Sequence, residues 1–106
     1  MGLLDNLLGP DLARGLEQYE KTPGAVLLDV RTPEEYAGGH LAGSRNLPLQ
    51  RITQVEDEIP ELETPIFVYC QSGARSRRAA AFLEKVGYTN VQNIGGLADY
   101  KGSLER

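Results

Sequence analysis

The stretch Pro65-Ile66-Phe67-Val68-Tyr69-Cys70-Gln71-Ser72-Gly73-Ala74-Arg75-Ser76 decides the reading of this chain. Its first half is β-branched and aromatic, a composition that suits a buried strand. Its second half is small, polar and interrupted by glycine, so the strand runs directly into a tight loop. Beyond the loop, Ala79, Phe82, Leu83 and Val86 mark one face of a helix, with Gly87 where a C-terminal cap is expected. A strand, a short loop and a helix in immediate succession form the opening part of a parallel-sheet unit.

Working outward, the same grammar repeats. Leu8, Leu12, Leu16 and Tyr19 recur at helical spacing and predict an amphipathic helix over residues 10–21, weakened by Gly15 and closed by Pro23-Gly24. Ala25-Val26-Leu27-Leu28 is a continuous apolar run, which suits a strand buried on both faces, and it ends at Asp29-Val30-Arg31. Thr32, Pro33 and Glu35 form a helix-start signal with a capping box, predicting a short helix to about Ala37 that Gly38-Gly39 stops. A small strand is expected over residues 44–47, a short acidic helix over 50–58 ended by Pro60, a last strand over 91–94, and a final short helix around Leu97–Tyr100.

Alternating strands and helices predict an α/β fold: a small parallel sheet of four or five strands with helices on both faces. The 106 residues suffice for a single domain, with residues 1–9 as an N-terminal extension and 102–106 as a C-terminal tail. In such sheets ligands bind beyond the carboxyl ends of the strands. Asp29-Val30-Arg31 and the Cys70–Arg75 loop both leave by that edge.

Composition narrows the function classes. Net charge is −4, which argues against broad binding to nucleic acid or anionic membranes. The charge is uneven: residues 1–65 carry twelve acids and five bases, net −7, and residues 66–106 carry three acids and six bases, net +3. The basic C-terminal part leaves room for a small anion site. One cysteine excludes an intrachain disulfide, and one cysteine with one histidine excludes a His/Cys structural zinc site within the chain. No apolar run approaches the roughly 20 residues of a membrane helix. The N-terminus lacks the basic start of a signal peptide and has Asn6 where a myristoylation site wants Ser or Thr. The expectation is a cytoplasmic monomer.

Cys70 is the residue with chemistry. A cysteine leaving a buried strand into a loop at a helix N-terminus meets inward-pointing amides and positive potential, both of which favour the nucleophilic thiolate. Gly73 lets the backbone bend, Ser72 and Ser76 offer hydroxyl donors, and Arg75 stands at the mouth of the loop for anion contact or bracing. Arg77 and Arg78 read as solvated helix residues. Asp29 and Arg31 read as a structural ion pair or cap supporting the site. His40 reads as a structural hydrogen-bonding residue, since a thiol activated by amides needs no base, and Tyr36 and Tyr69 as packing residues.

These motifs together resemble the single-domain rhodanese family. The resemblance lies in Leu27 to Arg31, Pro33 to Tyr36 and Gly39 to Ser44, in the strand Ile66–Tyr69 with the loop Cys70 to Ser76, and in Gly87 to Val91 with Ile94 to Leu97. It spans residues 10–101, with Tyr100 where the family often has tryptophan, a change expected to affect packing only. The resemblance implies a thiosulfate sulfurtransferase that moves sulfane sulfur through a persulfide on Cys70 to cyanide, a thiol or a protein acceptor. The amides of Gln71, Ser72, Gly73, Ala74, Arg75 and Ser76 would cradle that persulfide. It implies no metal and no organic cofactor. Two other readings remain open: a persulfide carrier or binding module with little turnover, and, more remotely, a phosphatase or arsenate reductase. Related phosphatases place five residues between cysteine and arginine, whereas this chain has four.

Overall fold

The computed structural model describes residues 10–106, with only the backbone of Asp99. Helix α1 (Leu12–Glu20) starts where Asp11 caps it, the carboxylate accepting the Ala13 amide at 3.1 Å. That bond satisfies one of the first-turn donors that have no partner inside the helix. Gly15, a weakness by propensity, has a packing reason: a Cβ there would lie 2.4 Å from the Ile94 side chain. Glycine lets α1 approach the sheet closely.

Four strands, β1 (Val26–Asp29), β2 (Arg45–Asn46), β3 (Ile66–Cys70) and β4 (Val91–Gly96), form one parallel sheet in the order β2-β1-β3-β4. Every residue of β1 and β3, the central strands, is buried. This explains why they read as unbroken apolar runs rather than as alternating patterns. The pleat splits them between two cores. Leu27, Phe67 and Tyr69 pack with Leu12, Leu41, Ile94 and Leu97 beneath α1. Leu28, Val30, Val68 and Cys70 pack with Ile52, Val55, Ala79 and Leu83 on the opposite face. The fold is therefore α/β with helices on both faces, as the alternation predicts.

Helix α2 (Pro33–Ala37) carries the full capping box: the Glu35 amide donates to the Thr32 hydroxyl at 3.2 Å, and the Thr32 amide donates to the Glu35 carboxylate at 2.9 Å. The acidic segment departs from the single helix expected over 50–58. It is a 3-10 turn (Leu49–Gln54) kinked at Arg51, φ −114°, followed by one turn of helix, α3 (Val55–Glu58). The kink keeps Ile52, Val55 and Ile59 in the core. Helix α4 (Ala74–Lys85) follows β3, and a 3-10 turn (Leu97–Asp99) follows β4.

At the C-terminus, His40 and Glu105 exchange backbone hydrogen bonds of 2.8 Å each, and the Arg106 guanidinium donates to the Gly38 carbonyl at 3.1 Å. The last residues lie against the end of α2 rather than trailing from it. The expected N-terminal extension, residues 1–9, falls outside the described residues. Among the described residues, no helix is long and apolar enough to cross a membrane.

Candidate active site

β3 delivers Cys70 to the carboxyl edge of the sheet, where the side chain is fully buried (0 % exposed). Two backbone amides converge on the sulfur, Gly73 N–H at 3.0 Å and Ser76 N–H at 3.3 Å. Gly73 makes this possible: its φ of +95° lies in the left-handed region, where a Cβ is strained, and it turns the chain into α4 within three residues of the cysteine. The first turn of α4 supplies the Ser76 amide, one of the donors a helix leaves unpaired at its start. The thiol itself donates to Ser76 Oγ at 3.5 Å. Burial pushes the Cys70 thiol up. The Ser76 hydroxyl and the Ser76, Gly73 and Ser72 amides outweigh that, and the thiol is held below its ordinary value.

The loop is braced from outside. The Gln71 carbonyl accepts the Ala98 amide at 3.0 Å. Gly96 lies directly behind it, where a Cβ would meet that carbonyl oxygen at 2.4 Å. Gln71, Ser72 and Ala74 are exposed and form one wall of an open groove of about 1090 Å³, faced by Asp11 and Ala13 of the α1 start and by Tyr100. Cys70 does not line this groove.

Arg75, expected at the mouth of the loop, points across to α2. Its guanidinium donates to both Glu35 carboxylate oxygens, at 2.7 and 3.0 Å. Of the two roles the sequence offers, bracing is the one its geometry serves. The Arg75 guanidinium, with burial opposing it and the Thr32 backbone helping, holds the Glu35 carboxyl down to about 2. Asp29 and Arg31 form a buried ion pair with Nη2–Oδ2 at 2.7 Å, and Arg31 Nη2 also donates to the Gly39 carbonyl at 2.7 Å. Burial opposes the Arg31 charge, yet Asp29, with Tyr69 and Glu35 adding to it, outweighs burial, and the Arg31 pKa is raised. Arg31 lies over the Tyr69 ring, 5.9 Å from its centroid. Neither Asp29 nor Arg31 hydrogen-bonds the sulfur's amide cradle. Arg77 and Arg78 are exposed on α4. His40 stacks on Tyr36 at 3.7 Å, and its Nδ1 donates to the Tyr36 carbonyl at 2.8 Å.

The profile of the rhodanese-like domain matches residues 11–103. The chain belongs to the rhodanese-like domain family. Over 82 residues it is 43% identical to the uncharacterized protein YqhL of Bacillus subtilis, a match covering 76% of this chain and 64% of that protein. It is 38% identical over 73 residues to the thiosulfate sulfurtransferase PspE of Escherichia coli, covering 68% and 70%. Among solved structures, a rhodanese with anions from Escherichia coli superposes with a TM-score of 0.71 at 34% identity, covering 77% of this chain and 98% of that one.

Two residues of this rhodanese-like domain stand at the site without having been singled out for it. Glu35 reads locally as half of a capping box, and nothing nearby in sequence shows that its second function is to hold Arg75, forty positions on. Asn93 sits in β4 beside a register shift, where Val68 pairs with Asn93 but Tyr69 pairs with Gly95. Its Oδ1 accepts the Gly95 amide at 3.0 Å and faces Ser76 Oγ at 2.7 Å. The neighbouring Gly95-Gly96 is the only local sign that the strand is irregular there.

Proposed function

We propose that this domain is a thiosulfate sulfurtransferase working through a persulfide on Cys70. The observation that carries the reading is the pair of amides converging on a buried sulfur. Preorganised donors stabilise a thiolate before reaction and a persulfide anion after it, without reorganising. The name thiosulfate sulfurtransferase borne by relatives such as the Escherichia coli protein PspE supports the same reading.

The thiolate attacks the outer sulfur of thiosulfate. A new S–S bond forms to Cys70, the S–S bond of thiosulfate breaks, and its electron pair leaves with sulfite. Cyanide or a thiolate then attacks the outer sulfur of the persulfide and returns the Cys70 thiolate. The loop from Cys70 to Arg75 is six residues long, and its amides close on a point beside the sulfur. That cradle suits one added sulfur atom better than the several oxygens of a phosphoryl group. With Arg75 bound to Glu35, the donor's charge is met by loop amides and the helix start rather than by that guanidinium.

The test is intact mass after treatment with thiosulfate and again after cyanide. Gain of one sulfur atom and then its loss are expected, with neither in Cys70→Ser. Sulfur uptake by Cys70→Ser, or none by the native chain, overturns the reading.

A further inference from the structure

Ser76 Oγ, a neighbour of the sulfur, has more acceptors than protons. It lies 2.7 Å from Asn93 Oδ1, 3.1 Å from the Gly73 carbonyl, 3.4 Å from the Gly95 carbonyl and 3.5 Å from Cys70 Sγ. The Asn93 atom is fixed as the amide oxygen because the Gly95 N–H donates to it. An amide oxygen has no proton to give. The short contact therefore requires the Ser76 hydroxyl to donate to Asn93. Ser76 then turns a lone pair toward the sulfur, which suits a thiol S–H; a thiolate gains from Ser76 only when the hydroxyl proton turns back to it.

We propose that Asn93 is a positioning residue for Cys70 that acts through Ser76, holding the Ser76 hydroxyl proton while the sulfur is protonated and yielding it when the sulfur ionises. The switch is a rotation about the Ser76 Cβ–Oγ bond. The rotation itself breaks no covalent bond; on ionisation the Cys70 S–H bond breaks, its electron pair stays on sulfur and its proton passes to solvent. The inference rests on the proposed function only in taking the thiolate as the reacting form.

Around the sulfur, α4 brings Arg75, which senses the Cys70 charge, and α2 brings Glu35, its partner. β1 brings Asp29 with Arg31, and β3 brings Tyr69. The 3-10 turn and α3 present the apolar Ile52 and Val55 to the same core. β4 brings no titratable side chain, since it reads Val-Gln-Asn-Ile-Gly-Gly. Substituting Asn93 leaves both ion pairs in place.

The experiment is the pH dependence of Cys70 alkylation by iodoacetamide, followed by mass, in the native chain, Asn93→Ala, Ser76→Ala and the double variant. Asn93→Ala is expected to lower the midpoint by about 0.5–1 pH unit, the worth of one competing neutral hydrogen bond. In the Ser76→Ala background the same substitution should leave the midpoint unmoved. Equal shifts in both backgrounds, or no shift with Ser76 present, overturn the proposal. If losing the Gly95 hydrogen bond prevents Asn93→Ala from folding, Asn93→Asp keeps both accepted bonds. It should raise the midpoint more with Ser76 than with Ser76→Ala, and equal rises would show charge alone at work. Sulfur loading measured on the same samples separates the outcomes: failure to load with the coupling intact overturns the sulfurtransferase reading and leaves the Asn93 switch standing.

Discussion

Arg75 and Glu35 close on one another through two parallel hydrogen bonds, 2.7 and 3.0 Å long, and so tie the first turn of α4 to α2. Glu35 also accepts the Thr32 amide of its own capping box. Arg75 sits one residue before Ser76, whose amide faces the sulfur. A single ion pair thereby links the cap of one helix to the thiolate cradle at the start of another.

That link has a pH signature. Glu35 titrates near 2 in the folded chain against an ordinary value of 4.5. A depressed carboxyl contributes stability above its unfolded pKa and loses it as pH falls toward the folded one. The contribution should be complete at pH 7 and fade between about 4.5 and 2. Both groups are about a third exposed, 33% and 35%, so solvent screening keeps it small, of order 1 kcal/mol or less. Urea unfolding of Glu35→Gln against the native chain should show a gap at pH 7 that narrows by pH 3. A gap unchanged across that range would mean that the carboxylate charge contributes nothing.

The same pair bears on activity differently from a substrate contact. Arg75→Ala is expected to lower the rate of sulfur uptake by loosening the loop, and Glu35→Gln to lower it in the same direction. A guanidinium that bound the donor would instead gain reach when Glu35 is neutralised. Thiosulfate titrations of both variants, read by sulfite release, distinguish these outcomes.

Asp29 and Arg31 carry a larger stake because they are buried, at 0% and 5% side-chain exposure. Removing one partner of such a pair strands the other charge in the core and typically costs about 3–5 kcal/mol. Asp29→Ala should therefore lose that much stability, because the buried Arg31 guanidinium keeps the Gly39 carbonyl and the Tyr69 ring but no opposite charge in contact. Chemical denaturation checks it. A loss below about 1 kcal/mol would place the pair at the solvated surface instead.

Gly96 tests the bracing of the loop from behind. A Cβ at this position would press to within 2.4 Å of the Gln71 carbonyl oxygen and 2.8 Å of the Ser72 carbonyl carbon. Backbone cannot yield as a side chain does, so Gly96→Ala is expected to cost about 1–3 kcal/mol and displace the loop. The Cys70 alkylation midpoint should rise toward that of a free thiol as the amides lose their aim. A variant with native stability and a native midpoint would refute the close approach.

Much of this protein was legible in the amino-acid order. The capping box at Thr32, Pro33 and Glu35 is local chemistry within four residues, and it forms as read. The continuous apolar runs at β1 and β3 report strands covered on both faces, because a strand with one wet face would alternate. Cys70 at the junction of a buried strand and a glycine-bearing loop could be picked out because strand, turn and helix signals meet there without a gap. The kink at Arg51 was not legible, since the acidic run gives one helical signal and the core underneath decides where it bends. Gly15 misled for a similar reason. Its propensity cost is local, and its benefit depends on Ile94, nearly eighty residues away.

By itself, then, the sequence determined the order of the elements, the strands and the main helices among them, the two-sided burial of the central strands and the identity of the nucleophile candidate. All of these rest on periodicity, turn residues and caps that act over a few positions. The tertiary structure alone decided which side chains serve that cysteine. Arg75 is taken by Glu35, Ser76 is shared between the sulfur and Asn93, and Gly96 backs Gln71, because strand order brings β4 and α2 beside the loop from distant parts of the chain. Side chains forty or twenty positions apart carry no mutual signal in composition or spacing. Only the closing of the sheet sets their distances, and those distances decide whether an arginine meets a ligand or a neighbour.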